Sequence, residues 1–232
     1  MAVVSVIIPA LNEAENIASL VADVQAAWPA EVIVVDNGST DDTAEVVRAT
    51  STACLVTEPR RGYGYACAAG IEAAGGADIV VFLDGDHSFS PAEMSRLLQP
   101  ILNGEADLVL GSRPRGGIAP GAMPPHQRFG NWLVARLVNA LYDLRVTDLG
   151  PYRAVRRELL EQLDMQEMTY GWPQEMLVKA ARRGARIVEA PVSYRSRRSG
   201  KSKISGTLRG TALATYYILG VTLRHALPAR GG

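Results

Sequence analysis

Residues 80–89 read VVFLDGDHSF, an apolar run that ends in Asp84, Gly85 and Asp86. Two carboxylates at i and i+2 repel each other unless a cation lies between them. With glycine letting the backbone turn, both can reach one hard ion. Mg²⁺ and Mn²⁺ commonly bind through one or two carboxylates plus substrate phosphates. The same pair can instead form an Asx-turn that caps the strand or the next helix. His87 follows directly, as a further ligand, a wall of the site or a solvent-exposed residue. Asp36 closes a second apolar run, EVIVVD, where a carboxylate can accept from ribose hydroxyls or base N–H groups. No GxGxxG follows the first apolar run, and no GxxxxGK[ST] occurs, which argues against dinucleotide and P-loop cradles. A diphosphate held here needs a cation on Asp84 and Asp86 together with arginines.

The basic groups are unevenly distributed. Formal net charge is zero, yet residues 1–110 hold 16 acids and 4 bases, and residues 111–232 hold 8 acids and 20 bases. A basic half suits phosphates, an anionic membrane surface or nucleic acid. Two complementary faces packing together would also produce the split. A divided site, with acids for a metal and bases for phosphates, is the reading adopted. The stretch YRSRRSGKSKISGTLRG (194–210) is its most basic part, and Gly200 and Gly206 suit a hinged loop. No RNA- or DNA-binding motif accompanies it, so no nucleic-acid partner is expected.

Alternating elements must position these groups. Val3–Ile8 reads as a strand ended by Pro9, then a helix over Glu13–Trp28 with Asn12 as its cap. Strands follow at Glu31–Asp36, Cys54–Thr57, Ile79–Leu83 and Leu108–Leu110. Helices fall between them at 41–49, Gly62–Ala74 and Pro91–Leu102, the last with proline in its first turn. This pattern predicts an α/β fold with a mostly parallel central sheet and ligands at the carboxyl ends of its strands. Pro9–Glu13, Asp36–Ser39 and Asp84–Asp86 should then share one crevice. Residues 112–127, rich in Gly and Pro, read as a long loop. A helix over about 128–143, a strand at Tyr152–Val155, a helix at Trp172–Arg183 and an edge or bulged strand at Ile187–Tyr194 complete the sheet region. The C-terminal stretch Leu208–Leu223 reads as a helix, lying in a membrane interface or packing as a dimer or core helix.

The 232 residues, 47% hydrophobic, can bury one large core. Cys54 and Cys67 match no metal or redox spacing, and nothing suggests an oxidising compartment. The N-terminal apolar run is too short for a signal peptide, and no stretch is long enough to span a bilayer.

Taken together, VSVIIPALNEAENI, EVIVVDNGSTDDTAEVV, VVFLDGDHSFSPAEMSRLL, DLVLGSR and RRSGKSKISG resemble the family-2 glycosyltransferases of GT-A fold. The branch they are most similar to is the dolichyl- and polyprenyl-phosphate mannosyl- or glucosyltransferases. The resemblance runs from Val3 to about Gly210. It implies a GT-A, Rossmann-like three-layer sandwich over 1–210, with a nucleotide-sugar-binding half (1–111) and an acceptor-binding half (112–210) that carries a closing loop at 194–210. A C-terminal helix at 211–232 would follow. Pro9, Ala10, Glu13, Asp36, Asp84 and Gly85 would hold the nucleotide, and Asp84 and Asp86 the Mg²⁺ or Mn²⁺. Arg113 and Arg128 would meet an acceptor phosphate. Asp148, Glu175 and Arg197 would stand at the reaction centre, and Ser202 and Lys203 in the closing loop.

The implied activity is inverting transfer of a hexose from a GDP- or UDP-sugar to polyprenyl or dolichyl phosphate. With an alcohol acceptor (a glycan, a lipid or a small molecule), Asp148 or Glu175 would have to act as general base. A non-catalytic nucleotide-sugar binder is the third reading. The expected location is cytoplasmic, with peripheral contact to the membrane face and a homodimer as a further expectation. Asn37 departs from the aspartate of many relatives. It can still bond a base, but with a changed donor/acceptor pattern. Nor does a pair of C-terminal transmembrane helices follow, as it does in some relatives.

Overall fold

The computed structural model describes residues 2–198 and 208–226, with backbone only for 208–215. Ser202, Lys203 and the glycines Gly200 and Gly206 lie outside the described residues. Among the described residues seven strands form one sheet: β1 (Val4–Ala10), β2 (Glu31–Asp36), β3 (Ala53–Thr57), β4 (Ile79–Phe82), β5 (Leu108–Ser112), β6 (Arg153–Arg156) and β7 (Ile187–Pro191). Their order is β3-β2-β1-β4-β6-β5-β7. Only β6 runs antiparallel, against both β4 and β5.

The helices are α1 (Ala14–Ala27), α2 (Thr43–Ala49), α3 (Tyr63–Ala73), α4 (Met94–Leu102), α5 (Arg113–Gly116), α6 (Pro125–Tyr142), α7 (Arg157–Gln162), α8 (Trp172–Arg182) and α9 (Leu208–Ala226). They cover both faces. Successive strand residues point to opposite sides, so each strand feeds two cores. Val6, Ile8, Val34 and Val81 pack with Ile17, Leu20 and Val24 of α1 and Leu97 of α4. Ile7, Ile33, Val35 and Phe82 pack with Cys67 of α3, Val138 of α6 and Trp172 of α8. This is the expected three-layer α/β sandwich with a mostly parallel sheet. Both cysteines are free thiols, Cys54 exposed and Cys67 in the core.

Several boundaries differ from the sequence reading, and two of them shape the site. The first strand does not end at Pro9 but continues to Ala10. β1 pairs with β4 only over Val4–Ile7, whereas its pairing with β2 runs on to Ala10. Pro9, which has no N–H to give, therefore sits where β1 has lost one neighbour. The sheet parts there, between the carboxyl ends of β1 and β4. Asn12 does not cap α1. Its backbone is left-handed (φ 54°), and its side chain accepts from Thr40 N at 2.7 Å. Elsewhere, 3₁₀ geometry over Pro91–Glu93 leads into α4. The expected loop 112–127 begins with the short α5 and gives way to α6 at Pro125. The helix α7 had no counterpart in the sequence reading. β7 is an edge strand, as Pro191 led one to expect.

Candidate active site

The gap between β1 and β4 gathers the three expected segments. Asn37 N donates to Ala10 O, and Asn12 N donates to Ser39 Oγ, which ties the end of β1 to the turn after β2. Asp36 is buried, and its Oδ1 accepts from Ser39 N at 3.0 Å. Gly85 lies against Pro9 and Glu13, since a Cβ placed on it would meet Pro9 O and Glu13 Cγ. Pro9, Ala10, Glu13, Asp36, Asp84 and Gly85 are thus gathered at the carboxyl ends of β1, β2 and β4.

Asp84 and Asp86 hang from the turn after β4. Asp86 Oδ1 accepts from Ser88 N at 2.9 Å, and Oδ2 accepts from Arg197 Nη2 at 2.8 Å. Glu13 Oε1 lies 3.8 Å from Arg197 Nη1. Burial, reinforced by the charges of Asp86 and Glu13 against the opposing pull of Arg113 and Arg197, pushes the Asp84 carboxyl up to about 7. Among the described residues no group of three His, Cys, Asp or Glu side chains is placed to hold a metal. A donor set of two carboxylate oxygens fits a hard cation that completes its shell with phosphate oxygens and water.

His87 is not part of that set. Its φ of 58° turns the imidazole back onto α1, where Nε2 meets Ser19 Oγ at 2.9 Å and Asn16 O at 3.2 Å. It fastens the turn to the helix as a wall. Asn37 is likewise used internally. Its Nδ2 donates to Glu58 O and Arg60 O, and its Oδ1 accepts from Gly62 N. The amide that could have read a base braces the 58–62 loop instead.

The root of the basic stretch is docked on the aspartate turn. Arg195 N donates to Ser88 O, Arg198 N donates to Asp86 O, and Phe89 bridges to Tyr194. Arg197 is thereby held over the acidic cluster.

A second group lies at the end of β5. Asp148 is fully buried, and both of its oxygens are engaged. Oδ2 accepts from Arg113 N (2.8 Å) and Nε (2.7 Å), and Oδ1 accepts from Arg113 Nη2 (2.6 Å) and Leu149 N (2.8 Å). The partner is Arg113, which precedes Asp148 by 35 residues. Arg153 is itself fully buried and donates to Pro173 O and Gly150 O. Burial without a direct carboxylate partner lowers its guanidinium to about 10. The Arg113 guanidinium also lies 5.2 Å from the Tyr194 ring. Among the described residues, its Nη1 has no hydrogen-bond partner.

Glu189 is a residue the sequence reading missed. From β7 its Oε1 accepts from Thr147 N (2.7 Å) and Asp148 N (2.9 Å), and its Oε2 accepts from Thr147 Oγ1 (2.8 Å). It clasps the loop that carries Asp148. The available signal was a single acid in the middle of an otherwise apolar strand.

Glu175 is placed elsewhere. It is buried on α8. Its Oε2 accepts from Gln166 N and Glu167 N, and its Oε1 lies 2.8 Å from Lys179 Nζ. This i,i+4 pair with Lys179 is largely buried. It holds the 164–169 turn, which packs so closely on α3 that a Cβ on Gly64 would fall 2.5 Å from Glu167 O. Arg128 is exposed on α6. It lines an open cavity of about 590 Å³ together with Pro114, Trp132, Arg136 and Thr147. Pro114 and Thr147 are the chain neighbours of Arg113 and Asp148.

The C-terminal α9 packs into the fold. Val221 and Thr222 are buried, Gln174 Nε2 donates to Thr222 Oγ1, and Tyr142 Oη donates to Thr222 O. Among the described residues no helix is long and apolar enough to cross a membrane.

Comparison with known proteins gives a consistent result. The family model described as Glycosyl transferase family 2 matches residues 5–164. An uncharacterized glycosyltransferase of Mycobacterium tuberculosis is 42% identical over 212 residues, 91% of this chain and 94% of the relative. The undecaprenyl-phosphate mannosyltransferase of Micrococcus luteus is 32% identical over 239 residues, 97% of this chain and 98% of the relative. Among solved structures, glucosyl-3-phosphoglycerate synthase from Mycobacterium tuberculosis, in complex with Mn²⁺, UDP and phosphoglyceric acid, superposes with a TM-score of 0.76. It is 26% identical, and the match covers 99% of this chain and 81% of that one.

Proposed function

Because the chain belongs to the family 2 glycosyltransferases of GT-A fold, we propose that it transfers a hexose, mannose or glucose, from a GDP- or UDP-sugar to a polyprenyl phosphate. One observation carries the choice of acceptor. Asp148 and Glu175, the carboxylates offered as general bases for an alcohol, both have their oxygens engaged by partners within the chain. An alcohol must lose its proton in the transition state, whereas a phosphate monoester near neutral pH already presents an anionic oxygen. Among the described residues these two candidate bases are occupied and a guanidinium stands fixed beside Asp148, which suits the phosphate. The printed name of the Micrococcus luteus relative supports the same acceptor.

In this reading Pro9, Ala10, Glu13, Asp36 and Gly85 hold the nucleoside end of the donor. Asp84 and Asp86 hold Mg²⁺ or Mn²⁺, which when bound supplies positive charge to the leaving diphosphate. The Mn²⁺ and UDP of the structural neighbour support that assignment. Arg197, anchored above Asp86, adds a guanidinium to the same leaving group. Arg113 is locked by Asp148 so that its remaining edge meets the acceptor phosphate, and Arg128 meets it from α6. The phosphate oxygen attacks the anomeric carbon as the bond to the diphosphate breaks. The configuration inverts, and no proton has to be removed.

Thermal shift against UDP-, GDP- and dTDP-sugars, with and without Mn²⁺, tests the donor half. One nucleotide should stabilise the chain strongly and only with the metal. Equal, metal-independent stabilisation by every nucleotide would overturn the assignment of Asp84 and Asp86.

A further inference from the structure

Two hydrogen-bond donors between the aspartate turn and the Asp148–Arg113 pair are unspent. One is Arg113 Nη1. The other is the hydroxyl of Tyr194, which has no hydrogen-bond partner among the described residues, although the half-buried residue that carries it is fixed on several sides. Past β7 the chain runs between two loops. Ser193 N and Oγ donate to Glu93 Oε2 and Oε1, each at 2.8 Å. On one side Tyr194 N donates to Gly117 O and Tyr194 O accepts from Ala119 N, both at 2.9 Å; on the other Arg195 N donates to Ser88 O at 2.9 Å. The ring is held as well. It lies 5.2 Å from the Phe89 ring, which is itself 5.3 Å from that of Tyr152, and the Arg113 guanidinium stands 5.2 Å from its centre. Phe89 does such packing without a hydroxyl, so packing does not account for the hydroxyl of Tyr194.

We propose that Tyr194 is a further catalytic residue, whose hydroxyl joins Arg113 Nη1 in clamping the acceptor phosphate by donating to one of its non-attacking oxygens. A phosphate monoester presents three acceptor oxygens. One attacks, and a guanidinium N–H and a phenolic O–H suit the other two, since hydrogen bonds to an ionised acceptor are the strong ones. The ring's contact with Arg113 puts the phenol on the acceptor side of the junction. Burial, opposed by Arg113 and reinforced by Asp86 and Asp84, raises the phenol above its ordinary value, so the donor keeps its proton near neutral pH. No proton moves in this role. The acceptor oxygen forms the bond to the anomeric carbon, the diphosphate leaves with its electron pair, and Tyr194 orients the attacking group. The inference deepens the prenyl-phosphate reading and rests on it for the identity of the phosphate.

The test uses the full chain and the variants Tyr194→Phe and Tyr194→Leu. Tyr194→Phe keeps the ring against Phe89 and Arg113 and should retain the parent chain's melting temperature. Its binding of a short, water-soluble prenyl phosphate, read by calorimetry, should be about tenfold weaker, the loss expected for one hydrogen bond to a charged group. The KM for that acceptor should rise by the same factor, while affinity for UDP or GDP with Mn²⁺ stays level. Tyr194→Leu also takes the ring from beside Arg113 and should bind the prenyl phosphate more weakly still. Equal prenyl phosphate affinity and KM in Tyr194→Phe and the parent chain would overturn the inference and leave the acceptor reading untouched. Weaker nucleotide binding at unchanged prenyl phosphate affinity would overturn it as well, by placing the hydroxyl on the leaving diphosphate. Tyr194-dependent binding of prenyl phosphate without formation of a prenyl phosphohexose would sink the acceptor reading and leave the clamp standing. A parent chain that binds no prenyl phosphate would sink both.

Discussion

Arg197 donates from Nη2 to Asp86 Oδ2 at 2.8 Å, and its Nη1 lies 3.8 Å from Glu13. The guanidinium therefore sits on Asp86, one of the two carboxylates that would hold a cation, and competes with it before substrate arrives. Arg197→Ala should move two measurements in opposite directions. Mn²⁺ alone should bind more tightly, read by calorimetry, because a competing positive charge is gone. Turnover should fall by about 10²-fold, the usual loss when one transition-state donor is removed. If Mn²⁺ affinity and turnover both fall, Arg197 is a prop of the fold and not a partner of the leaving group.

The Asp84 carboxyl, pushed up to about 7, gives a pH dependence of known sign. Its folded value lies above the ordinary 3.8. Between these values the native chain holds a proton that the unfolded chain has lost, so this group's contribution to stability falls as pH rises from about 4 to 7. A cation on the ionised pair offsets that loss. The rise in melting temperature caused by Mn²⁺ should be small near pH 5.5 and grow toward pH 8. Asp84→Asn should flatten the trend. A Mn²⁺ effect that is the same across this range would place the ion elsewhere.

Asp148→Asn should act through Arg113. Breaking a buried, bidentate ion pair leaves the guanidinium uncompensated and should cost about 3 kcal/mol in chemical denaturation. The KM for the acceptor should rise, with kcat recovering as prenyl phosphate is raised toward saturation. Glu175→Gln should lower stability through the 164–169 turn and leave acceptor KM unchanged. If either variant loses kcat outright at saturating acceptor, that residue is the proton acceptor of an alcohol-directed enzyme.

Glu189→Ala should resemble a mild Asp148 variant. Thr147 N and Asp148 N lose their acceptor; the first is exposed and the second only partly buried, so the cost should be about 1 kcal/mol. Acceptor KM should rise and donor KM stay level. A change in donor KM alone would separate Glu189 from the Asp148–Arg113 pair.

The layers of the fold were legible because local and global signals agree in them. β-branched runs of strand length alternate with helical periodicity, and each strand's two faces are both apolar. Asp36 and the Asp84–Asp86 turn were legible for the same reason: a carboxylate at the end of a buried strand stands out. What depends on tertiary pairing was not. Nothing near Asp148 in sequence says that Arg113, 35 residues earlier, holds it. Nor does anything near Glu189 point to residues 147 and 148. Pro9 suggested a strand end because proline cannot donate to a ladder, yet the ladder had already lost its β4 partner there. His87 was ambiguous until its left-handed backbone showed which way the ring turned. The periodicity of 208–223 fits a packed helix and an interfacial one equally, and what the sequence could not show is that one side of it packs on α6 and α8.

The central claim, transfer to a lipid phosphate, is tested most directly by product analysis. The chain, Mn²⁺ and the stabilising nucleotide sugar are incubated with a prenyl phosphate or with the matching prenyl alcohol, and products are identified by mass spectrometry. The account predicts a prenyl phosphohexose from the phosphate and no glycoside from the alcohol. A prenyl glycoside formed as readily as the phosphohexose would contradict it.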